Sequence, residues 1–365
     1  MAWYSDWGFR KQIDVQDTNV DGALTDFPVL VQLTADADFH EALATGYDIR
    51  FTLSDGSTLL YYERESWSGG AGSAATADFW VKVPSIAASG GATIYIYYGK
   101  AGAADGQDAA NVWNANYQLI WHLDDSGAGW PNDIYDSTSN ANHGTKRAAN
   151  EPNEVAGKVY KAQEFDGAND DLQTKDNIGV TGSTNRTMEC WLKTSDNVNL
   201  QCPISWGVTS NYAKWWFYLD GSDAWELSIR NANREWSDVY ADGSWHHMAV
   251  VLDGTKTSDL IGYFDGAVST PDATNDETIN TGAGDLFAGQ DSGSGNGFTG
   301  TLDELRISDT ARSAAWIKFE HANINEADNE LTWGAEEAAA GGGFIPYDFS
   351  GDLRGGINAL SGGLS

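Results

Sequence analysis

The chain has 365 residues, with 21 Lys or Arg against 53 Asp or Glu, so its formal net charge is −32. Binding to a nucleic-acid backbone or to an anionic membrane surface is not expected of so acidic a chain, because basic patches hold both. With 7 Pro against 41 Gly and 16 Trp, the composition is typical of a folded, turn-rich protein. No apolar run approaches the roughly 18 residues of a membrane span.

The first residues, Met-Ala-Trp-Tyr-Ser-Asp-Trp, lack the basic start and apolar stretch of a secretory signal peptide. Two explanations stay open. Either the protein is not secreted by the usual route, or its signal has been removed.

Residues 1–113 are predicted to form an antiparallel β-sandwich. Residues 9–15 and 47–53 alternate apolar and polar side chains, the period of two that indicates a half-buried strand. Further strands are predicted at 27–33, 58–62, 79–83 and 93–98. Several short strands with no helical pattern between them favour an all-β fold.

This segment resembles an uncharacterised β-domain family that is often found before laminin-G-like domains. The resemblance rests on Trp7, Arg10-Lys11, Phe27-Pro28-Val29-Leu30, Tyr47-Asp48-Ile49-Arg50-Phe51, Ser54-Asp55-Gly56, Trp80-Val81-Lys82-Val83-Pro84 and residues 95–99. It implies a fold and a surface setting but no chemistry.

Residues 114–335 carry a second β pattern, with one helix predicted at 310–320. This segment resembles the laminin-G-like, concanavalin-A-like jelly roll. The matching residues are Trp121-His122-Leu123-Asp124, Asp136-Ser137-Thr138, Asn142-His143-Gly144, Phe165-Asp166-Gly167, Trp245-His246-His247, Tyr263-Phe264-Asp265-Gly266 and residues 298–307. The resemblance implies two packed antiparallel sheets. Relatives are mostly binding modules for glycans or proteins and in a minority glucan hydrolases, so fold alone does not decide function.

Two cysteines, Cys190 and Cys202, are too few for a disulfide framework. They flank a polar segment near Asp196 that is typical of a hairpin tip, which would let them face each other across two strands. A disulfide and a pair of free thiols both stay open.

Aromatic residues cluster between positions 206 and 236, next to polar side chains that could bond sugar hydroxyls. Some of the Trp must face the core, since alternate strand positions point inward. The predicted glycan-binding residues are Trp206, Tyr212, Trp215, Trp216, Trp225, Arg230, Asn233 and Trp236.

Calcium is the one cofactor that the sequence suggests, in a structural role. Asp17, Asn19, Asp21 and Gly22 have the order of a calcium loop, although Pro28 stands where a ligand Glu is expected. A polar hairpin loop explains the same residues. In laminin-G-like relatives calcium often bridges sheet edges through acidic loop residues, and this resemblance adds Asp124, Asp166 and Asp303, whose alternative role is turn capping.

Glu326, Asp328 and Glu330 have the Glu-x-Asp-x-Glu spacing of laminarinase-type glucanases, which place three carboxylates on one strand face. Here the intervening residues are Ala and Asn, and the segment follows the predicted helix. No catalytic residue is therefore predicted.

Residues 336–365 are predicted to be a Gly-rich linker and an apolar tail. The tail could be a frayed end or a peptide that docks into a partner subunit. Its large apolar residues are Phe344, Ile345, Tyr347, Phe349, Leu353, Ile357, Leu360 and Leu364.

These observations predict an all-β protein of two tandem antiparallel sandwich or jelly-roll domains, without enzymatic activity, that recognises glycans or partner subunits. The expected setting is the surface of a tailed virus, as a capsid decoration or tail adhesin; homo-oligomerisation stays open. The alternatives are a secreted cell-surface polysaccharide-binding adhesin and a glucan hydrolase.

Overall fold

A computed structural model describes residues 3–113, 116–129, 131–146, 151–291, 295–325 and 327–339. Within them the chain is mostly antiparallel β-sheet, which confirms the expected fold class. No helix in this part of the chain is both long and apolar enough to cross a membrane.

The N-terminal part contains seven strands in two sheets. The strands are β1 (Phe9–Val15), β2 (Leu24–Asp36), β3 (Arg50–Leu53), β4 (Leu59–Leu60), β5 (Tyr62–Gly70), β6 (Ser73–Ile86) and β7 (Ala92–Tyr98). A 3-10 helix at Ala37–Glu41 follows β2, and a short helix α1 (Ala109–Val112) follows β7.

The chain after residue 113 contains the remaining strands. They are β8 (Tyr117–Trp121), β9 (Gly144–Lys146), β10 (Asn153–Ala156), β11 (Lys161–Asp166), β12 (Leu172–Asn177), β13 (Arg186–Lys193), β14 (Gln201–Gly207), β15 (Lys214–Leu219), β16 (Ala224–Ser228), β17 (Asn233–Ser237), β18 (Trp245–Leu252), β19 (Leu260–Phe264), β20 (Ala267–Val268), β21 (Pro271–Thr274), β22 (Asp285–Ala288), β23 (Thr299–Ser308), β24 (Leu331–Trp333) and β25 (Glu337–Ala338). A 3-10 helix lies at Thr257–Asp259, and helices α2 (Ala314–Asn325) and α3 (Ala327–Glu330) precede β24.

The first domain is a sandwich of a six-stranded and a three-stranded sheet. The larger sheet has the order β24-β1-β7-β3-β4, with β25 also paired to β1, and the smaller has the order β2-β6-β5. Alternate residues such as Ile13, Val29, Phe51, Phe79 and Ile96 are fully buried in the core that the sheets share.

The C-terminal strands differ from the expected boundaries, which put residues 331–335 in the second domain and 336–339 in a linker. The structure pairs β24 and β25 with β1, so that Val15 faces Leu331 and Phe9 faces Ala338. The strands β24 and β25 are short and lie among Gly and Glu residues, a composition typical of a linker. Their pairing with β1, which is distant in the sequence, cannot be predicted from that local composition. The boundary expected at residue 113/114 stays a prediction.

The second domain is a sandwich of two eight-stranded sheets. Sheet I has the order β10-β11-β23-β13-β18-β19-β20, with β8 also paired to β23, and sheet II has the order β21-β17-β16-β15-β14-β22-β12-β9. Between them lies a core that contains two stacked tryptophan pairs, Trp206–Trp215 at 5.0 Å and Trp225–Trp236 at 4.5 Å between ring centroids.

The outer face of sheet I is buried against the first domain. Helix α2 lies between this sheet and β2, where Phe27 contacts Trp316 and Phe319 at 4.6 and 5.0 Å. Asn323 on the same helix accepts a hydrogen bond from the Leu30 N–H and donates one to the Leu30 carbonyl, which satisfies the open edge of β2. Ser313 caps the helix through its hydroxyl oxygen, which accepts a hydrogen bond from the Trp316 N–H.

Cys190 and Cys202 are buried free thiols. The strands that carry them, β13 and β14, belong to sheets I and II, so the hairpin expected between them does not form. Burial raises the pKa of both thiols, as expected for inert core cysteines.

Gly262 on β19 is a test of how tightly the two sheets pack. A Cβ atom at this position would lie 2.6 Å from ring atoms of both Trp225 and Trp236. Gly262→Ala is therefore expected to lower the free energy of unfolding by about 1–3 kcal/mol, the usual cost of overpacking. Urea denaturation measures this loss. Gly295→Ala is the matched control, because a Cβ there meets nothing within 4 Å. Equal midpoints for the two variants would contradict the tight packing.

His247 is expected to make the protein less stable in acid. Burial, His321 and Arg306 lower the pKa of this side chain to about 3, from an ordinary value of 6.5. Between these pH values the unfolded chain binds a proton that the folded protein does not, so stability falls as the pH is lowered.

His247→Asn is expected to reduce the pH dependence of the unfolding free energy between pH 6 and 4 by up to about 1.4 kcal/mol per pH unit. Urea denaturation at several pH values measures the slope, and His40→Asn at an exposed position serves as the control. An unchanged slope in His247→Asn would show that the folded protein protonates this ring normally.

Candidate functional site

Four of the predicted glycan-binding residues are core residues. Trp206, Trp215, Trp225 and Trp236 are each 0% exposed and form the stacked pairs between the two sheets. Their prediction as binding residues was wrong, because these strand positions face inward and their rings cannot reach a ligand.

Of the other four, Trp216 and Asn233 lie on the outer face of sheet II and Arg230 lies in the turn after β16, whereas Tyr212 packs against the core between the two sheets. Strand register aligns Ser205, Trp216, Ser228 and Asn233 in one row across β14, β15, β16 and β17. Trp216 is half-buried, and its neighbours in the row on both sides are serines. Ser205 is 0% exposed and Ser228 is half-buried, so the accessible surface beside the indole lies on the Ser228 side.

A second row of polar groups runs beside the first. It aligns Tyr218, Glu226 and Glu235, and Asn233 donates a hydrogen bond to the Glu226 carboxylate. Burial raises the pKa of the Glu226 carboxyl, and the Asn233 amide partly opposes this effect. We call Ser205, Trp216, Tyr218, Glu226, Ser228 and Asn233 the Trp216 face.

Tyr212 and Arg230 lie at the end of this face where β15 begins and β16 ends. Arg230 and Asn231 both have positive φ, 60° and 69°, in a two-residue turn that the hydrogen bond from the Ile229 N–H to the Ala232 carbonyl closes. The Tyr212 N–H donates to the Arg230 carbonyl, so the two residues are adjacent.

The structure does not gather the calcium-loop residues into one cage. Asp17 accepts a hydrogen bond from the Gly90 N–H, and Asn19 donates one to Glu330. Both oxygens of Asp21 contact the Lys318 ammonium, at 2.8 and 2.9 Å. The three side chains therefore point to three different elements.

The other metal candidates are also separate. The Asp166 carboxylate accepts hydrogen bonds from the Ala168 and Asn169 N–H groups, and Asp124 lines a pocket between the domains. Asp303 is 0% exposed, and the N–H groups of Lys158, Val159 and Glu304 donate to its carboxylate. Asp166 and Asp303 therefore have the alternative role stated above, in which an aspartate caps backbone N–H groups of a turn.

The Glu-x-Asp-x-Glu segment is not on a strand. Glu326 lies outside the described residues, and residues 327–330 form helix α3, where positions two apart do not share a face. The apolar tail from Phe344 to Leu364 lies outside the described residues too.

A buried ionic cluster between the domains was missed at the sequence level. His122, directly after β8, is 4% exposed and contacts carboxylates from both domains. Its Nδ1 lies 2.8 Å from Glu304 Oε1 and 3.6 Å from Glu65 Oε2, and its Nε2 lies 3.2 Å from Glu63 Oε2. We call His122, Glu63, Glu65 and Glu304 the His122 cluster.

Partners outside the cluster hold each carboxylate in place. Glu63 accepts hydrogen bonds from the Trp113 indole at 2.5 Å and the Ser137 hydroxyl at 2.6 Å. Glu304 Oε2 accepts from Arg306, which also pairs with Glu320 on α2. Glu304 has φ 49° in an irregular part of β23, a backbone conformation that is unusual for a residue other than glycine.

The members of the cluster shift one another's pKa values in different directions. Burial lowers the pKa of His122, but Glu304, Glu65 and Glu63 outweigh it and raise the pKa well above 6.5. For Glu63 and Glu304 burial raises the pKa, and His122 outweighs it, so both stay ionised. Burial and the nearby Glu304 charge outweigh the opposing effect of His122 and raise the pKa of Glu65 well above its ordinary value.

The sequence contains one signal for this cluster. Glu63 and Glu65 on β5, like Glu304 and Arg306 on β23, alternate along a strand and share a face. Alone, such a pattern indicates a solvated face, because nothing in one strand shows that another domain covers it.

Comparison with known families matches both domains. Residues 166–318 match the concanavalin A-like lectin/glucanases superfamily, and residues 45–145 match a domain of unknown function, DUF2341. Both resemblances stated from the sequence are thereby confirmed.

Solved structures that align with part of this chain include binding domains. Domain 4 of AbnA, an extracellular arabinanase from Geobacillus stearothermophilus, in complex with arabinotriose, aligns with a TM-score of 0.43 at 20% identity over 57% of this chain and 98% of that domain. The binding domain of Paraclostridial Mosquitocidal Protein 1 aligns with a TM-score of 0.43 at 14% identity over 56% of this chain and 52% of that one. The botulinum neurotoxin serotype D binding domain aligns with a TM-score of 0.41 at 14% identity, covering 58% of this chain and 52% of that one.

The segment that matches the concanavalin A-like lectin/glucanases superfamily contains most strands of the sandwich of two eight-stranded sheets, and the segment that matches DUF2341 precedes it in the chain.

Proposed function

We propose that the chain is a non-enzymatic recognition protein that binds glycans at the Trp216 face. The observation that carries the proposal is the row in which a half-buried indole lies between Ser205 and Ser228. Sugar rings have apolar faces that stack on aromatic rings, and their hydroxyl groups need polar partners at the ring edge.

The polar partners are in place around the indole. Glu226 offers carboxylate oxygens, Asn233 an amide, and Ser228 a hydroxyl, all on the same side of the sheet. Ser205 is 0% exposed, so the accessible row runs from Trp216 to Asn233. With neighbouring strands about 4.8 Å apart it spans about 10 Å, enough for a disaccharide.

The biological setting is a further part of this proposal. We place the recognition on a virion surface, with attachment to partner subunits through the tail, and keep a secreted cell-surface adhesin as the alternative. The apolar residues of the tail support attachment, since such a stretch cannot bury itself. A structural calcium ion also stays a prediction.

Trp216→Ala is expected to weaken glycan binding at least about 10-fold, because it removes both the stacking ring and the area that the ring buries. A glycan array with the purified full chain, with and without calcium, identifies the ligand, and calorimetry measures the loss. Tyr61→Ala is the matched control, since Tyr61 is a 52% exposed aromatic residue on the first domain.

Glu226→Gln is a second variant, which keeps the shape of the side chain and removes its charge. It is expected to weaken the same interaction and to leave the melting temperature unchanged or higher, since burial already disfavours the charge. Full-strength binding by both Trp216→Ala and Glu226→Gln would place the ligand elsewhere.

The full chain is expected to release no reducing sugar from soluble β-glucans. Glu330, which ends the Glu-x-Asp-x-Glu segment, is only 2% exposed and accepts a hydrogen bond from Asn19, so a substrate cannot reach it. A reducing-sugar assay beside an active laminarinase measures this. Sugar release that Glu330→Gln abolishes would overturn the non-enzymatic reading.

A further inference from the structure

We propose that the His122 cluster is a binding site for a divalent transition metal such as Zn²⁺, held by His122 Nδ1 and by carboxylate oxygens of Glu65 and Glu304. One ligand atom from each of these residues lies within 4.8 Å of the other two. Imidazole and carboxylate are ligands that suit zinc, and three protein ligands with a fourth position for water form a common zinc geometry.

A buried oxygen without a partner points to a ligand at this place. The Glu65 side chain is 2% exposed, and its Oε2 accepts a hydrogen bond from the Trp80 indole at 2.7 Å. Its Oε1 has no hydrogen-bond partner among the described residues. A buried polar atom without a partner is costly, and an ion bound to the carboxylate would satisfy it.

The outer contacts of the three ligands are those of a metal site. His122 Nε2 faces the Glu63 carboxylate at 3.2 Å, the arrangement that orients a histidine whose other nitrogen binds a metal. Arg306 holds Glu304 Oε2 at 2.6 Å and leaves Oε1 toward His122. In the same way Trp80 fixes Glu65, and Glu63 fixes His122.

The ligand distances fit a metal after a small movement. With metal–ligand bonds of about 2.1 Å, tetrahedral ligand atoms lie roughly 3.4 Å apart. The Nδ1 atom of His122 is 3.6 Å from Glu65 Oε2 and 2.8 Å from Glu304 Oε1. The distance to Glu304 has to open by about 0.6 Å, as the ion replaces the proton between the two groups.

An ion can enter from solvent, since a pocket of about 440 Å³ reaches Glu65 and His122 from the surface. The carboxylates of Glu63, Asp124 and Asp136 and the guanidinium group of Arg64 also line it. Because Glu65 belongs to the first domain and the other two ligands to the second, the ion would clamp the two domains together.

The proposal is tested with the full chain. A chelator first removes bound metal, the chelator is then removed, and Zn²⁺ alone is added. Elemental analysis after gel filtration is expected to find one zinc per chain. The melting temperature is expected to rise with the logarithm of free zinc above the dissociation constant. An excess of Ca²⁺ is expected not to displace the retained zinc, because Ca²⁺ needs six to eight oxygen ligands.

Glu65→Gln separates metal binding from folding. The amide of Gln has the shape of the carboxylate and its oxygen can keep the hydrogen bond from the Trp80 indole, so the melting temperature of the stripped protein is expected to change little. It is expected to weaken zinc binding by more than the roughly 10- to 100-fold that the loss of an outer contact costs. Glu164→Gln, at an exposed position on β11, is the matched control and should bind zinc as the unmodified chain does.

The absence of retained zinc in the unmodified chain would overturn the proposal. Zinc retained equally by Glu65→Gln would also overturn it, since the ion would then be held by surface histidines such as His40. The glycan-binding proposal is unaffected by either result, because the Trp216 face lies on the other sheet.

Discussion

The arrangement of the molecule depends on charged side chains that are buried where its two domains meet. Glu304 and Arg306 project from the outer face of sheet I, and they are covered by β5, β6 and α2. Arg306 pairs with Glu304 and Glu320, and its guanidinium group lies 4.4 Å from the ring centroid of Trp80 in the first domain. Removing one member would leave its partner charged and buried, which typically costs about 3–5 kcal/mol.

This interface divides the two sheets of the second domain by role. Sheet I packs on sheet II with one face and on the first domain and α2 with most of the other, which leaves accessible the end that carries Glu164 and Asp166. Sheet II has an outer face outside the domain interface, and that face carries a half-buried Trp among small and polar side chains. The first domain therefore restricts where the second can bind.

Local patterns in the sequence predicted part of the strands, and long-range packing decided the rest. The alternation of residues 9–15 gave β1 with its bounds, because a half-buried strand shows its period directly. Trp215 and Trp216 are neighbours in sequence, yet one is in the core and the other on the surface. Which one faces inward depends on the opposing sheet. The His122 cluster was invisible for the same reason, since Glu65 and Glu304 are 239 residues apart in the sequence.

The return of β24 and β25 to β1 determines how the folded chain would carry a mechanical load. Phe9 faces Ala338 and Val15 faces Leu331, so the outer ends of these strands leave the sheet side by side. A pull between those ends would act on the strand pair as on a zipper, loading one hydrogen bond after another instead of all at once. The C-terminal strands would peel away at low force, and the second domain would stay folded.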